Sequence, residues 1–175
     1  MTQENNRDNI AGRIIVVDDE ALVLKNLRRI LEKSGYIVST CINPVKALEQ
    51  IEKESYDIVI SDIKMPYMDG LSFLNRVKAV APEIEVILVT GYASLDGAVE
   101  ATKYGAYHYL SKPFTPDQIR MRVESALHDK KLRDEGREVK KDASHPNEPV
   151  IIGKSPAILR IKEIVRQIAF KSQPV

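Results

Sequence analysis

In the stretch DIVISDIKMPYMDG, residues 57–70, three β-branched residues, Ile58, Val59 and Ile60, lead through Ser61 into Asp62. Met65 and Pro66 then rule out a longer strand. A continuous β-branched run suits a strand covered on both faces, as in a parallel sheet. Such a strand ending on a carboxylate poses a chemical question, because a buried acid is costly unless something nearby offsets its charge.

Outward from this stretch the same alternation repeats. Strand-like runs occupy residues 13–19 (RIIVVDD), 36–42 (YIVSTCI), 56–62 (YDIVISD), 85–91 (EVILVTG) and 106–110 (AYHYL). Segments of helical period separate them. Leu24, Leu27 and Leu31 share one helix face, with Gly35 as its C-cap. Asn43 and Pro44 form an N-cap and first helical position. Thr115, Pro116 and Gln118 make a capping box, and Asp69-Gly70 starts the helix after Asp62. Five β–α units predict one doubly wound α/β domain over residues 13–128, preceded by a disordered tail at 1–12.

The pattern changes after Leu127. HDKKLRDEGREVKKD is almost wholly charged, with Asp129/Arg133, Lys130/Asp134 and Lys131/Glu135 spaced four apart, which predicts a solvated extension of the last helix. Gly136 weakens it, while Leu132 and Val139, seven apart, mark a possible dimer seam. The linker, residues 129–149, closes with the turn formers ASHPNEP. In residues 150–175, Ser155 and Pro156 open a helix with Ile158, Ile161, Ile164, Val165 and Ile168 as an apolar stripe. That stripe needs a partner surface, because a segment of this size cannot build its own core.

The 175 residues include 26 basic and 25 acidic ones, a net charge of +1, so no global field draws the chain to nucleic acid or an anionic membrane. The lone Cys41, in a strand-like run, reads as a core thiol in a reducing compartment. No apolar run reaches the length of a membrane span, so no membrane partner is expected and the chain reads as cytoplasmic.

In an open parallel sheet, ligands bind outside the carboxyl ends of the strands. The first strand ends in Asp18 and Asp19, the third in Asp62 and the fourth in Thr90, and Lys112 follows the fifth. Taken singly, Asp-Asp reads as a helix cap, Lys-Pro as a turn and Thr as a packing residue; their meeting at one rim points elsewhere. Crowded carboxylates need a cation, and hard oxygen ligands open to water suit Mg²⁺, which keeps several waters. Asp19 and Asp62 are the expected direct ligands, with Asp18 acting through water, the Lys64 backbone carbonyl as a further ligand, and Lys112 compensating charge from the opposite side. This set fits phosphoryl transfer, with Asp62 as nucleophile and Thr90 as donor to a phosphoryl oxygen. Tyr92 and Lys64 are bulky residues at the rim, expected to hinder an attacking water.

The motifs VVDDE, DIKMPYMDG, VTGYAS and YLSKPF, in this order and spacing, resemble the receiver domain of two-component response regulators. The resemblance implies the flavodoxin-like, CheY-like five-stranded parallel sheet of order 2-1-3-4-5; the chemotaxis receiver is a standard example of that order. It further implies that Asp62 accepts a phosphoryl group from a sensor histidine kinase with Mg²⁺, and that Thr90 and Tyr109 form a switch in which the ring turns inward. Residues 150–175 look like the start of the AAA+ ATPase domain of sigma-54-dependent, NtrC-type activators. No Gly-x-x-x-x-Gly-Lys-Ser/Thr is present, so ATP binding is not expected of this chain. The resemblance also implies a homodimer through helix four, strand five, helix five and the linker, and a parent that contacts sigma-54 RNA polymerase and DNA.

Two other readings stay in view. Phosphatases of the haloacid dehalogenase type also combine Asp, Lys and Mg²⁺, but favour an Asp-x-Asp pair, whereas Ile63 and Lys64 follow Asp62. A pseudo-receiver that binds without being phosphorylated is opposed by the complete set Asp18, Asp19, Asp62, Thr90 and Lys112.

Overall fold

The computed structural model describes residues 12–92 and 94–141, with side chains through Gly136 except Leu95. Residues 1–11, the turn at 143–149 and the 150–175 segment with its Ser155 cap and apolar stripe lie outside the described residues, as does the Val139 side chain.

The β-branched runs form β1 (Arg13–Val17), β2 (Ile37–Cys41), β3 (Ile58–Asp62), β4 (Glu85–Thr90) and β5 (His108–Ser111). All pairings are parallel, in the order β2-β1-β3-β4-β5. The helices are α1 (Ala21–Glu32), α2 (Pro44–Lys53), α3 (Gly70–Val80), α4 (Leu95–Lys103) and α5 (Pro116–Lys141).

The unbroken apolar runs have a two-sided explanation. Ile15, Val17, Val59, Val86 and Leu88 pack into one cluster with Ala47, Leu48, Phe73, Leu74 and Val77 of α2 and α3. Their alternates Ile14, Val16, Ile58, Ile60, Ile87 and Val89 pack on the other face with Leu24, Leu27 and Leu31 of α1 and Ile119, Val123 and Ala126 of α5. Both faces are covered, so neither set of alternating side chains needs to be polar. Cys41 is buried, as its sequence context predicts.

Local stops follow the turn chemistry. Gly35 has φ +89°, its amide donates to Glu32 O and the Tyr36 amide to Leu31 O, which makes a Schellman end to α1. Asn43 caps α2 by accepting from the Val45 and Lys46 amides. Thr115 and Gln118 exchange bonds at the start of α5. Neither Asp18 nor Asp19 caps α1; its N-cap is Glu20, without a side-chain bond. The helix-cap reading of the acid pair therefore fails.

Two expectations shift. β5 starts at His108 rather than Ala106, because the Ala106 amide is taken by Ala101 O at the end of α4. The charged extension of α5 is not simply solvated. Among the described residues none of its expected pairs four apart forms a salt bridge; Lys130 Nζ lies 2.7 Å from Asp57 Oδ1, Arg133 pairs with Glu85, and Asp129 accepts from the Tyr107 hydroxyl at 2.8 Å. Glu85, only 5% exposed, stands at the start of β4, and its burial makes it a stronger attractor for a cation than a solvated carboxylate one turn away.

Candidate functional site

Asp18 and Asp62 reach the same crevice because β1 lies between β2 and β3, the point where the strand order reverses. Both acids are buried, at 2% and 7% exposure, and Thr90 at the end of β4 is equally enclosed. The loop after β3 is drawn tight by the Ile63 amide donating to Val89 O and the Gly70 amide to Ile63 O. Gly70 is required there: a Cβ would lie 2.4 Å from Asp62 O and 2.7 Å from Ile63 Cα, both backbone atoms. Asp69 caps the helix that begins at Gly70 by accepting from the Leu71 and Ser72 amides.

Each carboxylate is held at both oxygens. Asp62 Oδ2 accepts from the Lys64 backbone amide at 2.8 Å, and Oδ1 lies 2.9 Å from Lys112 Nζ. Asp18 Oδ1 accepts from the Glu20 amide at 2.8 Å, and Oδ2 from Lys112 Nζ at 2.8 Å. Lys112 therefore bonds both acids directly instead of facing them from across the site. Its own position is tied to β4, since its backbone amide donates to Thr90 O at 2.6 Å.

Burial pushes the Asp18 carboxyl above the usual carboxylate range, with the Lys112 hydrogen bond only partly offsetting it. Burial alone would lower the Lys112 ammonium, but its bonds to Asp18 and Asp62 outweigh this and hold it above the ordinary lysine value. A pair in strong mutual contact would lower the acid. Here the burial of Asp18 prevails, and the neighbouring charge of Asp62 adds a smaller push in the same direction.

Asp19 is exposed and has no salt bridge among the described residues. Among those residues no three His, Cys, Asp or Glu side chains are grouped closely enough to cage a metal. Mg²⁺ does not need such a cage, because it binds through one or two carboxylates and retains water. Asp18 and Asp62, two buried acids sharing one ammonium, present hard oxygen donors of the kind it takes.

Thr90 Oγ1 accepts from the Tyr92 amide at 3.1 Å, which leaves the hydroxyl proton free to point elsewhere. Tyr109 on β5 is half-buried, packed against the α2–α3 side of the core, and donates to Tyr92 O at 3.5 Å. Tyr92 is 74% exposed, and Lys64 Nζ sits 3.9 Å from its ring centroid. The sequence reading named both residues at the rim but missed their stacking; an aromatic and a lysine each two positions after a site residue is the only signal it offered.

Residues 14–124 match the response regulator receiver domain model. The chain is 32% identical over 160 residues to the C4-dicarboxylate transport transcriptional regulatory protein DctD of Rhizobium meliloti, covering 91% of this chain and 35% of that protein. It is 34% identical to the DNA-binding transcriptional regulator NtrC of Escherichia coli, covering 92% and 34%. The chain thus spans about a third of the length of these relatives. Among solved structures, NtrX from Brucella abortus is 29% identical with a TM-score of 0.72, covering 91% of this chain and 35% of that one. The beryllofluoride-activated NtrC4 receiver domain dimer is 35% identical with a TM-score of 0.65, covering 67% and 98%.

Proposed function

Given that the chain belongs to the response regulator receiver domain family, we propose that Asp62 is its phosphoacceptor and that a sensor histidine kinase is the donor. The observation that carries this reading is the Asp62 carboxylate, buried at a strand end, with Oδ1 on Lys112 and Oδ2 on the Lys64 amide. A carboxylate oxygen attacks the phosphorus of a phosphohistidine, the P–N bond breaks, and its electron pair returns to the imidazole, which takes up a proton. The product is an acyl phosphate on Asp62.

Asp19, Asp62 and the Lys64 carbonyl, with Asp18 through water, would hold Mg²⁺, which would supply charge neutralisation for the transferring group. The chain's own residues do the rest. Lys112 compensates negative charge at the acceptor, and Thr90 donates its hydroxyl proton to a phosphoryl oxygen. Tyr92 and Lys64 crowd the approach of water and prolong the acyl phosphate. Thr90 and Tyr109 respond as the switch.

The regulated surface is the face of α4, β5 and α5, where Val99 of α4 and Met121 and Leu132 of α5 are exposed. We read it as a homodimer surface that controls a transcription-activating module of a sigma-54-dependent parent contacting RNA polymerase and DNA. A receiver is a regulatory phosphoacceptor rather than a turnover enzyme. No described helix is long and apolar enough to cross a membrane, and we place the protein in the cytoplasm.

Acetyl phosphate or beryllofluoride with Mg²⁺, followed by intact mass for the former and shift perturbation for the latter, tests the reading. An adduct abolished by Asp62→Asn is expected, together with a change in elution on a sizing column. An adduct that survives Asp62→Asn, or none in the unaltered chain, overturns it.

A further inference from the structure

Tyr92 makes three contacts that no other residue of the site combines. Its ring carries the Lys64 ammonium, its amide occupies Thr90 Oγ1, and its carbonyl receives the Tyr109 hydroxyl. Lys64 in turn binds Asp62 through its backbone amide. One residue therefore touches the acceptor loop, the hydroxyl at the end of β4 and the aromatic on β5.

We propose that the Lys64–Tyr92 stack is a latch whose cation is claimed by the phosphoryl group. The inference rests on Asp62 being the phosphoacceptor. Before modification, Asp62 contributes one negative charge and its oxygens are already bonded to Lys112 and the Lys64 amide. The ammonium of Lys64 then takes the tyrosine ring, whose face attracts cations. An acyl phosphate brings more negative charge and exposed acceptor oxygens to the same rim, and a full charge attracts an ammonium more strongly than a ring quadrupole does. Lys64 leaves the ring and the turn after β4 loses its tie. The Tyr92 amide and carbonyl, which orient Thr90 and receive Tyr109, then shift together. The stack holds the unmodified conformation, and its loss is the first movement of the switch.

Lys64 and Tyr92 are positioning residues in this scheme, and side-chain substitution removes the stack while leaving their backbone donors and acceptors chemically intact. The test follows the Tyr109 ring resonances of the whole chain by NMR. In the absence of any phosphoryl mimic, Lys64→Met and Tyr92→Leu each shift the Tyr109 signals, while Tyr92→Phe, which keeps the ring, leaves them in place. Affinity for beryllofluoride with Mg²⁺ rises by about two- to five-fold in Tyr92→Leu, the range of an exposed cation–π contact. Unmoved Tyr109 signals in both Lys64→Met and Tyr92→Leu overturn the latch, as do equal shifts in Tyr92→Phe and Tyr92→Leu. Failure of the unaltered chain to bind beryllofluoride would refute the phosphoacceptor reading instead, leaving the unliganded comparison to judge the stack itself.

Discussion

Lys112 Nζ stands 2.9 Å from Asp62 Oδ1 while also bonding Asp18 at 2.8 Å, so a single ammonium is shared by two buried carboxylates. Replacing it with methionine keeps the length and removes the charge. Lys112→Met is expected to slow acetyl phosphate labelling by about 10- to 100-fold, the kinetic equivalent of one charge-assisted hydrogen bond. Time-resolved intact mass measures this; labelling at the unaltered rate would remove Lys112 from the acceptor's machinery.

Gly70 is close-packed against the backbone that carries Asp62. A methyl there has no flexible neighbour to push aside. Gly70→Ala is expected to lose about 1–3 kcal/mol of stability in urea titrations and to slow labelling in the protein that remains folded. Loss of stability with normal labelling would mean that the loop yields without moving the acceptor.

The Ser72 amide bond comes first among the causes that hold the Asp69 carboxyl below the usual carboxylate range. Its folded value lies below its unfolded one, so its stabilisation is present above the unfolded value and is lost as pH falls through the folded one. Asp69→Asn keeps a capping oxygen without the titration. Urea midpoints from neutral pH down to about pH 3 should decline less in Asp69→Asn than in the unaltered chain. Parallel declines would assign the acid sensitivity to other groups.

Arg133 faces the buried Glu85, with Lys78 Nζ 3.9 Å from the same carboxylate. Burial lowers the Lys78 ammonium, and Arg133 lowers it further. Arg133→Ala should cost about 1–3 kcal/mol, because a charged acceptor is left short of a partner. Adding Glu85→Gln should restore part of the loss. Simple additivity of the two changes would show that the pair contributes nothing.

Tyr92→Ala opens the rim at which water approaches the acyl phosphate. Dephosphorylation, followed by loss of the added mass, is expected to quicken by roughly two- to ten-fold, a barrier change on the order of 1 kcal/mol. An unchanged or slower rate would end the idea of a steric shield.

The fold was highly legible because its signals are local. Consecutive β-branched residues at Ile58–Ile60 and Val86–Ile87 imply strands with two covered faces, and Asn43, Asp69, Thr115 and Gly35 act through bonds to residues within one turn. The gathering of Asp18, Asp62 and Lys112 was legible for a related reason: a parallel sheet carries all its carboxyl ends to one rim. The reach of α5 was not legible. Spacing four apart identifies neighbours on a helix, but it cannot weigh them against a carboxylate buried elsewhere, and Glu85 prevailed over the helix's own acids for Arg133.

By itself, then, the sequence determined the alternating elements, their caps and the rim where Asp18, Asp62, Thr90 and Lys112 gather. Only the tertiary structure decided that Lys112 joins Asp18 across 94 positions, that Lys130 reaches back 73 positions to Asp57, and that Lys64 lies on the Tyr92 ring. Propensity and periodicity act between residues a turn apart. The partner of a long charged side chain is chosen by burial and distance in the folded molecule, where charges far apart in sequence become neighbours and a dry carboxylate attracts more strongly than a wet one.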